Sequence, residues 1–193
     1  MKRLAILALA AVMLLGINSA SFASDSKSYD VKAYVPQLNG LSISISKIPV
    51  SGGPWQPGQS SVDFGTLSFD STYKIFRANY YYAVDVGINS NTSDWTVTHT
   101  PYSVTLVNGT ETLDNHINVS FVKQINDTTD QPLSKVSFAN SNKSFTKSQL
   151  LGGWLRIYYG IATGSGDNPG VTPIPSTKTF GQYKGSVTIT LTP

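Results

Sequence analysis

Apolar and polar residues alternate along many short stretches of this 193-residue chain. The most regular stretch is the last one, where Val187, Ile189 and Leu191 are separated by threonines. A period of two places one set of side chains in a core and the other in water, as in a half-buried β-strand. The pattern therefore predicts a strand over 181–193 that packs against strands from earlier in the chain.

The same alternation, or a high content of β-branched and aromatic residues, predicts further strands over 29–35, 41–48, 62–69, 73–88, 95–100, 104–107, 117–122, 136–138 and 154–161. The segment 73–88 is either one kinked strand or two short ones. We expect Pro36, Pro49 and Pro101 to end strands, because proline has no N–H for a ladder. Only residues 146–151 predict a helical turn, which Gly152 and Gly153 would end.

Turn-forming residues predict loops over 50–61, 126–132 and 162–179. Asn108-Gly109 is the strongest hairpin signal in the chain. About nine or ten short strands at this spacing, with no helix long enough to cover a sheet, predict an all-β fold. We expect an antiparallel β-sandwich of the immunoglobulin-like or jelly-roll kind.

The start of the chain predicts a signal peptide over 1–23. Lys2 and Arg3 precede an apolar block over 4–17 that is too short to span a bilayer, and Ser21-Phe22-Ala23 has the small residues of a cleavage site. No comparable apolar run follows, so we expect no membrane span after cleavage. The expected product is a single domain over 24–193, either secreted, periplasmic or on the surface of a bacterium.

Charge and cysteine content narrow the possible partners and chemistry. The 14 Lys and Arg face 11 Asp and Glu, and loss of Lys2 and Arg3 would leave 12 against 11, a formal charge of +1. This near-neutral balance argues against binding of nucleic acid. The chain has no cysteine, which excludes thiol catalysis, thiolate metal sites and a lipoprotein anchor.

The residues offer little for catalysis. His99 and His116 are the only histidines and Glu111 is the only Glu. No nucleophile motif surrounds any serine, so we expect the chain not to be an enzyme. The loop over 164–168 has oxygen donors but lacks the spacing of a calcium loop, and we expect a flexible turn without metal or cofactor.

Aromatic residues offer the alternative of a carbohydrate-binding module or adhesin. Trp55, Tyr80, Tyr81 and Tyr82 could form a platform for sugar rings, with Trp55 exposed in its Gly/Pro loop. Successive residues of a strand point to opposite faces, so at least one of the three tyrosines must lie outside the core. We expect the other two tryptophans to be core residues.

Three motifs carry a family resemblance. The segments Ala33-Tyr34-Val35-Pro36 and 62–67 (VDFGTL), together with the final 181–191 (GQYKGSVTITL), resemble the secreted subunits of chaperone–usher fimbriae, and most closely the spore coat U type. Subunits of that group usually carry a disulfide, whereas this chain has no cysteine.

The resemblance implies donor-strand exchange, in which the N-terminal extension of one subunit completes the incomplete sandwich of the next. The donor segment would be 24–38, and the inserted side chains would be Tyr29, Val31, Ala33 and Val35. In the alternative, this strand pairs within its own chain. The implied partners are further copies or other surface subunits, and a periplasmic chaperone. The expected function is that of a structural subunit of a pilus, coat or cell-surface assembly.

Overall fold

The computed structural model describes residues 29–125, 129–151 and 153–193. The predicted signal peptide and the first residues of the predicted donor segment, 24–28, lie outside the described residues. Within the described part of the chain, no helix has the length and apolar character needed to cross a membrane.

The described residues form twelve strands and one helix of a single turn. They are β1 (Asn39–Pro49), β2 (Gln56–Gln59), β3 (Ser68–Asp70), β4 (Ile75–Arg77), β5 (Tyr80–Ser90), β6 (Thr96–Leu106), β7 (Ile117–Ile125), β8 (Thr129–Ser137), β9 (Lys143–Thr146), α1 (Lys147–Leu150), β10 (Trp154–Ile161), β11 (Ile174–Pro175) and β12 (Tyr183–Thr192). Short 3-10 turns cover Asp114–His116 and Phe138–Asn140. The predicted all-β class is confirmed.

Six strands form the larger sheet, in the order β2-β1-β5-β10-β7-β8, with all neighbours antiparallel. Its longest ladder joins β1 and β5 from Asn39 opposite Ser90 to Pro49 opposite Tyr80. Buried and half-buried side chains alternate along β10, so one face of this strand lies in the core and the other does not. Leu155, Ile157, Tyr159 and Ile161 are buried, whereas the residues between them are only half-buried.

A second sheet, β12-β6-β9, packs on the larger one, and a small sheet has the order β11-β4-β3. The ring of Phe121 on β7 lies 5.1 Å from the ring of His99 on β6 and 5.1 Å from that of Phe145 on β9. Side chains of both sheets thus meet in one apolar core, which also contains Trp95. The fold is an antiparallel β-sandwich.

Several strand boundaries differ from the prediction. Strand β6 continues through Pro101, which lies opposite Val187 of β12. Proline is tolerated there because β9 pairs with β6 only as far as His99, so β6 lacks a neighbour on that side. Residues 62–67 form no strand, whereas β8 occupies part of the predicted loop 126–132. The segment 73–88 contains the two separate strands β4 and β5, and the helical turn is confirmed as α1.

Candidate functional site

A groove of about 1250 Å³ lies between the edges of the two sheets, with β1 on one side and β12 on the other. Strand β12 pairs with β6 and β1 pairs with β5, but β1 and β12, both described throughout, share no ladder. Strand β2 covers the outer edge of β1 only at Ile45 and Lys47. The backbone edges that border the groove are therefore largely free to accept a further strand.

The apolar residues along this groove are incompletely covered. Ile43 lies on the same face of the larger sheet as Val86, its register partner. Val86 is fully buried, yet Ile43 is 53% exposed. On β12 the inward-facing Val187, Ile189 and Leu191 are all only half-buried. A core face thus reaches the groove without an element of the sandwich to cover it.

The groove contains few polar groups that could act chemically. Lys178 lines it, but its Nζ donates to the carbonyl oxygen of Thr112 at 2.7 Å and lies 3.4 Å from the carboxylate of Glu111. The hydroxyl of Tyr82, in the core beside the groove, donates to the carbonyl oxygen of Asp63. Such a lining suits apolar side chains and an added backbone rather than a reacting substrate.

The predicted donor residues lie in a segment without strand structure, since residues 29–38 carry no secondary structure. Tyr29, Val31 and Val35 are 86%, 84% and 76% exposed, and Ala33 is also exposed. Between them, the side chains of Asp30 and Lys32 approach to 3.5 Å. The segment is therefore apolar at every second position, neutral and accessible.

The four aromatic residues of the predicted sugar platform do not share one surface. Tyr82 is buried on the inner face of β5, where its ring meets that of Phe64 edge to face at 5.6 Å. Tyr80, two residues away, lies on the same inner side, and the ammonium of Lys47 is 3.7 Å from its ring centre. Tyr81 faces outward, as the alternation requires for one of the three.

The outer face of the larger sheet carries a cluster that the sequence did not predict. The carbon of the Arg156 guanidinium lies 4.7 Å from the ring centres of both Trp55 and Trp154. Its Nε and Nη2 donate to the two carboxylate oxygens of Asp85 at 2.6 and 2.9 Å. Trp154 is thus half-buried on the outer face, and its prediction as a core residue is wrong.

Tyr158 connects this cluster to the predicted platform. Its ring lies 6.4 Å from that of Trp55 and 6.3 Å from that of Tyr81. Burial, together with the hydrogen bond that its hydroxyl donates to Asp130 at 2.5 Å, raises the pKa of Tyr158 to about 12. Most polar groups beside the exposed Trp55 are therefore already paired with one another, although the buried Oδ1 of Asp130 accepts no hydrogen bond and lies 3.7 Å from Nη1 of Arg156. The alternating Trp154, Arg156 and Tyr158 were a sequence signal for this arrangement.

The two histidines have different surroundings, and those of His99 do not suit a catalytic base. Both ring nitrogens of the buried His99 have partners, the carbonyl oxygen of Ser141 at 2.6 Å and the hydroxyl of Tyr159 at 2.7 Å. Burial lowers the pKa of His99. His116 lies in the turn before β7, and its Nδ1 donates to the carbonyl oxygen of Thr172 at 2.8 Å.

The loop over 164–168 is fixed by hydrogen bonds. The Asp167 carboxylate accepts from the backbone N–H of Gly164 at 2.7 Å and from the Asn118 side chain at 2.9 Å. Asn168 is buried and donates to the carbonyl oxygens of Val119 and Val136. These bonds anchor the loop at Asp167 and Asn168, and the flexibility expected for it stays a prediction. Among the described residues, no three His, Asp or Glu side chains are grouped as a metal site would require.

Comparison with models of protein families, with curated proteins and with solved structures gives no match to this chain.

Proposed function

We propose that the chain is an exported structural subunit of a pilus, coat or other cell-surface assembly, and that copies of it join by donor-strand exchange. The single observation that carries this proposal is the open groove between β1 and β12. There, inward-facing apolar residues of both sheets, among them Ile43 and Ile189, lack the cover that a complete sandwich would give them.

The proposed occupant is the N-terminal segment of a second copy. In an extended conformation, its residues Tyr29, Val31, Ala33 and Val35 would enter the groove, while Asp30 and Lys32 would face the solvent. Full burial of a side chain the size of valine stabilises by roughly 1.5–3 kcal/mol. Three large exposed apolar side chains on one segment therefore represent a substantial driving force for insertion.

The lengths of the segment and of the groove agree. Residues 29–35 in a strand span about 20 Å at 3.3 Å per residue. The part of β12 that borders the groove, 183–189, also contains seven residues. An inserted strand could pair with the free edge of β12 and with the uncovered part of β1, and would thereby close the sandwich along its open side.

The test compares the chain from Ser24 with a version that lacks residues 24–38, by size-exclusion chromatography and electron microscopy. We expect SDS-resistant oligomers or filaments from the longer form only. A peptide of residues 24–38, when added to the shorter form, should bind to it. A longer form that remains a monomer at all concentrations would refute the proposal.

Glycan binding is the second candidate function. It is supported by the outer-face position of Trp55 and Tyr81, which both contact Tyr158. The pairing of Arg156 with Asp85 leaves this surface few free polar groups to orient a sugar. A monomeric protein whose glycan binding disappears on Trp55→Ala would favour this function over assembly.

A further inference from the structure

Residues 60–67 occupy one side of the groove. They connect β2 to β3, and the side chains of Val62, Phe64 and Leu67 are half-buried against the core. We propose that this segment, which we name the plug, is an internal placeholder: it covers part of the groove in the free subunit and leaves when a strand from a second copy enters. This inference rests on the function proposed above.

The plug is held by few bonds. Residues 60–67 are all described, and they make no backbone hydrogen bond to another segment of the described chain. The hydroxyl of Tyr82 donates to the carbonyl oxygen of Asp63, while the Asp63 carboxylate accepts only from the N–H of Gly65 within the plug. An incoming strand would instead form a ladder with β12, and its backbone bonds would outnumber those that the plug loses.

The ends of the plug also permit movement. Strand β2 contacts β1 at only two register positions with an irregularity between them, and β3 has three residues. Gly58, just before the plug, and Gly65 within it have φ angles of +79° and +64°, and a Cβ on either would meet open space. Short flanking strands and two uncrowded glycines allow the segment to swing out without disturbing the long ladder of β1 with β5.

The plug and the incoming strand compete for the same surface of the groove. The ring of Phe64 lies edge to face on Tyr82, the side chain that continues the inner face of β5 from Val84, which itself lines the groove. Strand β2 occupies the edge of β1 at Ile45, where an incoming strand would extend its pairing. A strand inserted along the whole groove therefore replaces the plug instead of lying on top of it.

Because the chain has no cysteine, a single introduced thiol reports directly on the position of the plug. The experiment uses the full chain carrying Val62→Cys and measures the rate of thiol labelling in the monomeric and the assembled fractions. We expect labelling at least ten times faster after assembly, because the side chain leaves the groove. Ser144→Cys on the exposed face of β9 is the control and should label at the same rate in both fractions.

The outcomes separate the two proposals. Assemblies in which the thiol at 62 is labelled no faster than in the monomer would overturn the plug alone, because residue 62 would then have stayed in the groove. A chain that forms no assemblies would overturn the proposed function and the plug with it. A second variant, Phe64→Ala, should assemble several-fold faster if the plug must leave, and no faster if it stays.

Discussion

The hydroxyl of Tyr159 on β10 donates a hydrogen bond to Nε2 of His99 on β6 at 2.7 Å, and so links the two sheets through the core. The other nitrogen, Nδ1, lies 2.6 Å from the carbonyl oxygen of Ser141, which can only accept. Nδ1 therefore carries the proton. Burial favours the neutral ring, in which Nε2 accepts from the Tyr159 hydroxyl. Protonation of Nε2 would require the Tyr159 hydroxyl to turn and accept instead, and it would place a charge in a buried site.

The first prediction is a loss of stability in mild acid. Burial lowers the pKa of His99 below its ordinary value of 6.5, so the unfolded chain takes up this proton before the folded one does. The stability that the neutral His99 contributes is fully present above about pH 6.5. It is lost as the pH falls below that value, at no more than about 1.4 kcal/mol per pH unit. Urea unfolding at pH 7.5, 6.5 and 5.5 measures the free energy of unfolding.

The variant His99→Phe is the control for this effect. It should be less stable than the unchanged protein at pH 7.5, because Tyr159 and Ser141 lose a partner, but its stability should change less between pH 6.5 and 5.5. An equally steep change in the variant would assign the pH dependence to other groups.

The second prediction concerns Gly185, at the irregularity where β12 pairs with β6. A Cβ at this position would lie 2.9 Å from the carbonyl oxygen of Tyr102 and 2.9 Å from the Cα of Val104, and neither backbone atom can rotate away. We expect Gly185→Ala to lower the free energy of unfolding by about 1–3 kcal/mol. Ser186→Ala, at the exposed neighbouring position, should change it by less than about 0.5 kcal/mol. Equal unfolding midpoints for Gly185→Ala and the unchanged protein would show that β12 can move away from β6 at this position at little cost.

The third prediction concerns the pair of Asp85 and Arg156, whose side chains are only 22% and 12% exposed. Asp85→Ala leaves the guanidinium enclosed without its main acceptor. We expect this variant to lower the free energy of unfolding by about 2–4 kcal/mol. The tryptophan fluorescence should change as well, because Trp55 and Trp154 both lie against that guanidinium. Glu111→Ala removes a more exposed partner, that of Lys178. Glu111→Ala should lower the free energy of unfolding clearly less than Asp85→Ala does. Equal decreases would show that burial of the ion pair does not determine its effect on stability.

Local sequence patterns predicted much of the fold because side-chain alternation depends only on neighbouring residues. The pattern over 154–161 predicted the strand β10, but it did not predict which side faces the core, since Trp154 was expected inside and lies on the outer face. The continuation of β6 through Pro101 could not be predicted, because it depends on where a distant strand, β9, ends. The pairing of Arg156 with Asp85 likewise joins residues 71 positions apart in the chain.

The groove could not be predicted from local sequence patterns, for a related reason. The alternation of Val187 and Ile189 indicates that these side chains face inward, but it gives no information on what covers them. Whether a core is complete depends on how all strands are arranged. The exposure of Ile43, whose register partner Val86 is buried, becomes visible only in the folded chain.

The last prediction tests the groove through adjacent residues of β12. Ile189 faces the groove and is half-buried, whereas Thr188 points to the opposite face and is exposed. Ile189→Asp places a charge where an inserted strand would have to bury it, so oligomers should be lost although the monomer stays folded. Thr188→Asp adds the same charge one position away and should assemble normally. Far-ultraviolet circular dichroism would verify folding. Assembly of the Ile189→Asp variant at the unchanged level would show that subunits join through another surface.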